Sequence, residues 1–213
     1  MITDLYTNDF PTLSINDELC LRRPDEKDAE TLCAYYQDPE IGKYIMATDP
    51  NTLTEAKAEL AYNKSITRSR RGIFWAIARK DNDEMIGSVG LYTNNFHHRA
   101  ELCYDLSKAY WRQGVMTQAL QTALDFCFNR AGFMRIEAVT RVENEASQNI
   151  LLKLGFEFDS VMKNYRYYEG QFFDVNMYSI TPAMWAETDF AQQKKAASAA
   201  DEAELVEKMF KDQ

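Results

Sequence analysis

The 213-residue sequence has few of the features that mark membrane, zinc-binding or disulfide-stapled proteins. No apolar run approaches the ~20 residues that a bilayer requires. The four cysteines are far apart and form no Cys-x-x-Cys pair, so we expect reduced thiols packed among apolar residues. They are Cys20, Cys33, Cys103 and Cys127. The two histidines, His97 and His98, are adjacent, and without a dispersed set of ligands we expect no metal site.

Charge and composition limit the partners. Lysine and arginine number 24 and aspartate and glutamate 33, which gives a net charge of −9. Such a surface repels nucleic acid and acidic membranes, so we expect neither as a partner, and it attracts cations. Apolar residues make up 46% and charged residues 27%, as in ordinary globular proteins. Residues 1–5 lack the layout of a signal peptide, and we expect a cytoplasmic protein.

Periodicity predicts a mixed α+β domain in the element order β-α-α-β-β-β-α-β-α-β-β. The predicted strands lie near residues 18–22, 73–79, 85–92, 100–106, 135–140, 156–167 and 172–180. The predicted helices lie near residues 25–37, 52–70, 114–129 and 147–154, and Thr52-x-x-Glu55 predicts a capping box at the second of them. In the strand over residues 100–106, alternation puts Glu101, Cys103 and Asp105 on one face. The first strands form an antiparallel meander, and the strand–helix–strand unit around residues 100–140 requires a parallel pair.

The C-terminal segment differs in composition from the rest of the chain. We expect a domain over residues 1–182 and an acidic, Ala-rich tail over residues 183–213, in which residues 186–213 contain almost no aromatic residues. Ser198-x-x-Asp201 is placed to cap a last helix. The apolar residues of that helix would be Leu205, Val206, Met209 and Phe210. One narrow apolar stripe favours a solvated tail over a docking helix.

The segment from Tyr110 to Thr117 carries the main chemical signal. A strand ends at Leu106, and an amphipathic helix begins at Gly114 after a short connection. A glycine at such a turn lets main-chain N–H groups approach an anion, and the helix N-terminus adds partial positive charge. Neither the Gly-Lys-Ser/Thr of a P-loop nor the three-glycine dinucleotide pattern is present. By itself, the glycine could simply start a helix.

Further motifs follow in order along residues 17–182. They are Leu21-Arg22-Arg23-Pro24, Asp38-Pro39-Glu40-Ile41, Ile86-Gly87, Arg99-Ala100-Glu101-Leu102-Cys103-Tyr104, Tyr110-Trp111-Arg112-Gln113-Gly114-Val115-Met116-Thr117-Gln118-Ala119-Leu120, Arg141-Val142-Glu143-Asn144-Glu145-Ala146-Ser147, Lys153-Leu154-Gly155-Phe156 and Asp174-Val175-Asn176-Met177-Tyr178. With these motifs the sequence resembles the GNAT acetyltransferases, specifically the Rim-type ribosomal-protein N-terminal acetyltransferases and their spermidine-acetyltransferase relatives.

The resemblance implies a mixed six- to seven-stranded sheet flanked by helices, and direct transfer of an acetyl group from acetyl-CoA to a primary amine. It implies that residues 111–117 wrap the pyrophosphate and that residues 104–106 pair with the pantetheine. It also implies that Asn144 and Ser147 lie near the thioester. The implied cofactor-binding residues are Tyr104, Asp105, Leu106, Trp111, Arg112, Gln113, Gly114, Val115, Met116, Thr117, Asn144 and Ser147. Relatives are often dimers, which makes a homodimer an expectation.

The sequence departs from the family pattern at two places. Trp111 and Met116 take the outer positions of the phosphate-binding motif, which leaves the phosphate contacts open. Many family members carry a tyrosine that protonates the CoA thiolate where this sequence has Leu151. Ser147 is then the candidate that hydrogen-bonds the leaving sulfur, although a serine there could also cap a helix.

Glu101 is the predicted base. It lies within the strand that faces the cofactor in relatives, and partial desolvation would raise the pKa of its carboxyl group toward a useful value. A structural carboxylate bonded to the backbone or to an arginine, and a water as base, are the alternatives. The adjacent His97 and His98 have suitable chemistry but lie in a polar turn. Cys103 is interpreted as a packing thiol rather than a nucleophile.

The sequence alone does not identify the amine that accepts the acetyl group. Arg112, Arg141 and Lys153 are candidates for a basic mouth that receives the anionic cofactor. In relatives, the segments matching residues 38–50 and 165–168 line the acceptor pocket. We expect a protein N-terminal α-amine as acceptor. The alternatives are a polyamine, an amino acid or a drug, or a catalytically silent acetyl-CoA-binding module.

Overall fold

The computed structural model describes residues 10–47 and 49–198, which form one mixed eight-stranded sheet with helices on both faces. The strand order is β1-β2-β3-β4-β5-β6-β8-β7. The strands are β1 (Leu13–Ser14), β2 (Leu19–Arg22), β3 (Gly72–Arg79), β4 (Met85–Asn94), β5 (Arg99–Leu106), β6 (Arg135–Arg141), β7 (Glu157–Tyr168) and β8 (Gln171–Ile180). The β5–β6 pair is parallel and all other pairs are antiparallel, which confirms the predicted meander and crossover.

The helices are α1 (Ala29–Tyr36), α2 (Pro39–Gly42), α3 (Leu53–Arg68), α4 (Val115–Phe126), α5 (Glu145–Lys153), α6 (Pro182–Ala186) and α7 (residues 189–198). Side-chain caps begin α2, α3, α5 and α6. The predicted capping box is present at α3, where the Thr52 hydroxyl accepts from the Glu55 N–H at 3.2 Å and the Glu55 carboxylate accepts from the Thr52 N–H at 2.9 Å. Asp25 caps a 3₁₀ turn, Glu26–Asp28, that leads directly into α1. The helix predicted to end near residue 129 finishes in a π-turn, Cys127–Ala131.

The sheet has an apolar core on each face. The larger core contains the inward side chains of β3 to β6 together with α4 and α5, and Trp75, Phe133 and Leu151 are fully buried in it. The smaller core lies under α1 and α3, where Leu32 and Leu60 pack near Ala76 of β3. Because side chains alternate along a strand, successive residues of each central strand face different helices.

The sheet has one strand more than the six or seven expected. The additional strand is β1, whose two residues are too short to show a periodic pattern. A second difference concerns α5, which begins at Glu145 and is capped by Asn144, two residues before the predicted start at Ser147. Asparagine caps a helix as well as serine does, so the sequence alone does not place this start.

The segment after residue 182 packs against the core in its first part. Trp185 of α6 is 2% exposed and contacts Phe128 and Phe190, with ring centroids 6.1 and 5.6 Å apart. Lys194 of α7 pairs with Asp125 of α4 at 2.5 Å. The expected division of the chain after residue 182 stays a prediction. The predicted last helix, with Leu205, Val206, Met209 and Phe210, lies outside the described residues.

Over residues 10–47 and 49–198, no helix combines the length and apolar character needed to cross a membrane. The four cysteines are free thiols, as expected, and Cys127 is the fully buried one.

Candidate active site

A gap opens between β5 and β6. The two strands pair only from Arg99 with Arg135 to Leu102 with Ala138. Beyond that point β5 stays paired with β4 on its other edge, and β6 stays paired with β8. Within the described part of the chain, the facing edges of residues 103–106 and 139–141 therefore have no strand partner. Their main-chain groups can receive an extended ligand as an added strand.

The N-terminus of α4 is open for an anion. Gly114 caps the helix with a φ of 78°, a left-handed conformation that favours glycine, and it has no side chain to occupy the cap. A Cβ added at Gly114 would meet only the Gln118 side chain, at 3.7 Å, so free space lies in front of the cap. The N–H groups of the first turn, at Val115, Met116 and Thr117, lack intrahelical partners. A diphosphate therefore fits this helix start.

Side-chain hydrogen bonds hold the loop that precedes Gly114. The indole N–H of Trp111 donates to the Leu106 carbonyl at 2.8 Å. The Gln113 amide donates to the Ala109 carbonyl at 2.7 Å. Arg112 is exposed and has a φ of 59°. The position where the family motif is altered, Trp111, thus ties the loop to the end of β5.

Two hydroxyl groups meet across one side of the gap. The Tyr104 hydroxyl of β5 lies 2.7 Å from the Ser147 Oγ in the first turn of α5. Asn144 caps the helix by accepting from the Ser147 N–H at 3.1 Å, so the Ser147 hydroxyl is not the cap. Burial raises the pKa of Tyr104 to about 12, which keeps its hydroxyl protonated. Leu151 is fully buried in the larger core and offers no proton to this side.

The opposite side of the same strand segment carries a carboxylate. Asp105 is partly buried, and its Oδ1 accepts from the hydroxyl of Tyr35 in α1 at 2.6 Å. Its Oδ2 accepts from the hydroxyl of Ser88 in β4. Burial raises the pKa of the Asp105 carboxyl group, while the two hydroxyl groups act against this shift. Glu59 of α3, near Asp105, also has a carboxyl pKa raised by burial.

Glu101 has a different environment. It lies in the part of β5 that is paired with β6, opposite Glu137, and its carboxylate forms an ion pair with Arg166 of β7. Burial raises the pKa of the Glu101 carboxyl group, and Arg166 acts against the shift. If Glu101 is a structural carboxylate bound to an arginine, that arginine is therefore Arg166. Its role as a base stays a prediction.

A cleft of about 530 Å³ lies at the open end of the gap. Its walls come from the segment between α1 and α3, from the end of β6 and from the β7–β8 hairpin. The lining residues are Tyr36, Gln37, Pro39, Gly42, Lys43, Ile45, Asp49, Asn51, Arg141, Tyr168, Glu169, Gln171 and Phe173. Burial, and then the charge of Glu169, raises the pKa of the Asp49 carboxyl group. The Arg141 guanidinium stacks 4.3 Å from the Phe173 ring centroid.

The structure brings only some of the predicted residues together. Arg141 lines the cleft and Arg112 lies in the loop before α4, whereas Lys153 is at the far end of α5 from Asn144. His97 and His98 are exposed in the turn between β4 and β5. Over the described ranges, no group of three or more His, Cys, Asp or Glu side chains is arranged for a metal ion.

Sequence reasoning missed the surroundings of Asp105. It assigned this residue only to the strand that pairs with the cofactor and assigned nothing to Tyr35 or Ser88. The alternation of β5 did place Asp105 on the same face as Glu101 and Cys103, which was the available signal. Burial strongly raises the pKa of the Cys103 thiol, which supports its interpretation as a packing thiol.

Comparisons with known proteins agree on one family. The model of the acetyltransferase (GNAT) domain matches residues 18–157. The chain is 33% identical over 172 residues to the uncharacterized N-acetyltransferase YoaA of Bacillus subtilis, a match that covers 80% of this chain and 97% of that protein. It is 23% identical over 188 residues to the [ribosomal protein uS5]-alanine N-acetyltransferase of Escherichia coli, which covers 84% of this chain and 96% of that protein.

Solved structures share the fold. RimJ of Mycobacterium smegmatis, in complex with a CoA-disulfide, is 22% identical with a TM-score of 0.73 and covers 84% of this chain and 89% of its own. The ribosomal L7/L12 α-N-protein acetyltransferase RimL, in complex with coenzyme A, is 22% identical with a TM-score of 0.71 and covers 80% of this chain and 98% of its own.

Proposed function

This chain belongs to the GNAT family of acetyltransferases, and we propose that the amine it acetylates is the α-amine at the N-terminus of a protein. It is an N-acetyltransferase that uses acetyl-CoA. Bound acetyl-CoA supplies an acetyl group on a thioester, whose carbonyl carbon an amine attacks directly. The protein must therefore hold the cofactor, free the amine of a proton and stabilise the leaving thiolate.

The cofactor-binding residues come from β5, α4 and α5. We assign the pyrophosphate to the main-chain N–H groups of residues 111–117 and the pantetheine to the open edge of residues 104–106. The open cap at Gly114 and the unpaired edge of β5 support this assignment. We place Asn144 next to the thioester as the residue that fixes the first turn of α5.

Ser147 is the proposed proton donor to the CoA thiolate. Its hydroxyl is not used in the helix cap, and it is hydrogen-bonded to the Tyr104 hydroxyl across the gap. When Ser147 gives its proton to the thiolate, it receives the second proton that the acceptor nitrogen loses, so the hydroxyl group is restored. Glu101 remains a candidate base, and its carboxylate forms an ion pair with Arg166.

The cleft at the mouth of the gap is the single observation that carries the choice of acceptor. Its volume is about 530 Å³, and its wall includes Arg141 at the end of β6 and Tyr36 beside Tyr35. Asp49 and Glu169 make part of the wall negative, which suits an ammonium group. The Escherichia coli relative is named as an enzyme that acts on an alanine of a ribosomal protein. A cytoplasmic location and a homodimer stay predictions.

A thiol-release assay tests the proposal. The full chain with acetyl-CoA is supplied with peptides that start with Ser, Ala or Thr, with spermidine and with free amino acids. We expect thiol release with at least one peptide at ten times the rate with spermidine or any amino acid. The same peptide with a blocked N-terminus is the control and should give no release.

Two outcomes would replace the proposal. A preference for spermidine or an amino acid would identify a small-amine acetyltransferase. Acetyl-CoA binding without thiol release from any amine would identify a binding module.

A further inference from the structure

We infer that Asp105 is the catalytic residue that binds the acceptor ammonium group and removes its proton. This assignment rests on the proposed function and adds the group that receives the amine. It concerns the same face of β5 as Glu101, four residues further along the strand, in the part of β5 that is not paired with β6.

The first reason for assigning this role to Asp105 is its position relative to the gap. Tyr104 and Asp105 are neighbours in the open segment of β5, and strand alternation sends their side chains to opposite faces. Tyr104 reaches Ser147 on the α5 side, whereas Asp105 reaches Tyr35 on the α1 side. A thioester in the gap would thus have hydroxyl groups for its sulfur on one face. It would have a carboxylate for an incoming amine on the other.

The second reason for assigning this role to Asp105 is that no positively charged side chain of the described ranges pairs with it. Both oxygens of Asp105 accept hydrogen bonds from hydroxyl groups, and no arginine or lysine of the described ranges forms an ion pair with it. The groups that face it are Tyr35 and Tyr36 of α1, Glu59 of α3, Ser88 of β4 and Cys103 of β5. None of these carries a positive charge. An ionised carboxylate in such surroundings is costly, and a ligand that brings a cation reduces this cost.

Glu101 provides the contrast on the same strand. Its carboxylate already has a cation, Arg166, and it lies where β5 and β6 are paired. An ammonium ion that approached Glu101 would have to displace this arginine. Asp105 requires no displacement, since its two oxygens bind only the hydroxyl groups of Tyr35 and Ser88 among side chains of the described residues, and these bonds orient the carboxyl group toward one face of the gap.

The acceptor nitrogen loses two protons when an ammonium group becomes an amide. The acceptor ammonium gives one proton to an Asp105 oxygen, and the nitrogen lone pair then forms the C–N bond to the acetyl carbon. The C–S bond breaks with its electron pair on sulfur. The second proton lost by nitrogen ends on the thiolate through the Ser147 hydroxyl, and the proton on Asp105 passes to solvent.

The test compares Asp105→Asn with Glu101→Gln in the full chain. It uses the peptide accepted by the wild type and measures kcat/KM together with acetyl-CoA affinity by calorimetry. We expect Asp105→Asn to lower kcat/KM at least tenfold, and about 100-fold if proton transfer is fully lost, with acetyl-CoA affinity within threefold. Glu101→Gln should lose less than tenfold. Asp81→Asn, in the exposed turn after β3, is the control and should lose less than twofold.

A second variant covers the case in which Asp105→Asn does not fold. The Tyr35 hydroxyl lowers the pKa of the Asp105 carboxyl group, so Tyr35→Phe should raise that pKa. The acid limb of the kcat/KM profile should then move to higher pH while the plateau is retained. A purely structural role of Tyr35 would lower the plateau without moving the limb.

The outcomes separate this inference from the proposed function. A wild type that acetylates peptides, together with an Asp105→Asn variant that loses less than tenfold or an unmoved limb in Tyr35→Phe, would overturn only the role of Asp105. A wild type that releases no thiol with any amine would overturn the proposed function and the role of Asp105 with it.

Discussion

The two halves of β5 have the same alternating pattern and opposite surroundings. In the half from Arg99 to Leu102, the strand pairs with neighbours on both edges, and its charges are neutralised, with Arg99 bound to Glu137 and Glu101 bound to Arg166. In the half from Cys103 to Leu106, one edge lacks a strand partner in the described chain. The carboxylate of Asp105 accepts hydrogen bonds from Tyr35 and Ser88 and forms no ion pair with the described residues. The first half completes the sheet, and the second leaves main-chain and side-chain groups for ligands.

The loops at the two ends of β5 differ in the same way. The turn before β5 holds exposed histidines, and the His98 carbonyl accepts from the Met134 N–H at 2.7 Å, next to the start of β6. The connection after β5 is tied to Leu106 through Trp111 and ends in the open cap at Gly114. A ligand that uses the open half of β5 therefore meets the start of α4 next.

Substitution of Gly114 should have the largest effect. Gly114→Glu puts a carboxylate into the free space before the helix cap, where it repels and displaces a diphosphate, and we expect acetyl-CoA affinity to fall more than 100-fold by calorimetry. The left-handed backbone adds about 1–2 kcal/mol of strain.

Gly132→Glu is the matched control for this prediction. Gly132 has a φ of 76° and free space for a Cβ, and it lies at the end of the π-turn after α4. It should lose the same stability in thermal unfolding and keep acetyl-CoA affinity. If Gly114→Glu binds acetyl-CoA as tightly as Gly132→Glu does, the diphosphate of the cofactor binds elsewhere.

Ser147→Ala tests whether this hydroxyl group, next to the open half of β5, protonates the CoA thiolate. Asn144 keeps the helix cap, so the variant should fold as the wild type does. We expect kcat to fall by about 100-fold because the thiolate loses its proton donor. Single-turnover kinetics with the accepted peptide measures this loss. The loss should grow with thioesters of less acidic thiols. A kcat within twofold of the wild type would contradict the role.

Glu101→Gln tests the paired half and should cost less than tenfold in kcat. The change removes the charge that Arg166 binds, so its main expected effect is on stability. A charge-assisted bond of this partly exposed kind contributes about 1 kcal/mol, measured by denaturant unfolding. A loss of activity above 100-fold with unchanged stability would instead show that the paired half supplies the base.

Trp111→Phe should have the smallest effect. It removes the hydrogen bond from the indole to the Leu106 carbonyl and keeps the ring, and a bond of this kind is worth about 1 kcal/mol. We expect about fivefold weaker acetyl-CoA binding by calorimetry with kcat unchanged. Unchanged affinity would mean that the loop is held without this bond.

Stability against pH offers an independent comparison. The carboxyl pKa of Asp105 is raised in the folded protein, so its contribution to stability is greatest below the ordinary carboxyl pKa. That contribution is lost as pH rises through the raised value. The difference in melting temperature between Asp105→Asn and the wild type should therefore shift in favour of the variant as pH increases.

Local patterns predicted most of the fold. The capping box at Thr52, the alternation of β5 and the parallel crossover through α4 were predicted and confirmed, because each depends on residues close in sequence. The two-residue β1 and the start of α5 were missed, since neither has a periodic signal that distinguishes it. The family followed from motifs spread over residues 17–182 and is confirmed by the matching domain model.

The sequence by itself determined seven of the strands, the four longer predicted helices, their order, the family and the glycine at the start of α4, because hydrophobic period, caps and turns are local properties. It did not predict β1, α2, α6 or α7. Only the tertiary structure decided which carboxylate of β5 is neutralised and which is not. Arg166 is 65 residues from Glu101, and Tyr35 is 70 residues from Asp105. Such pairs depend on how far two strands stay paired and which helix covers each face, and these follow from packing of the whole chain.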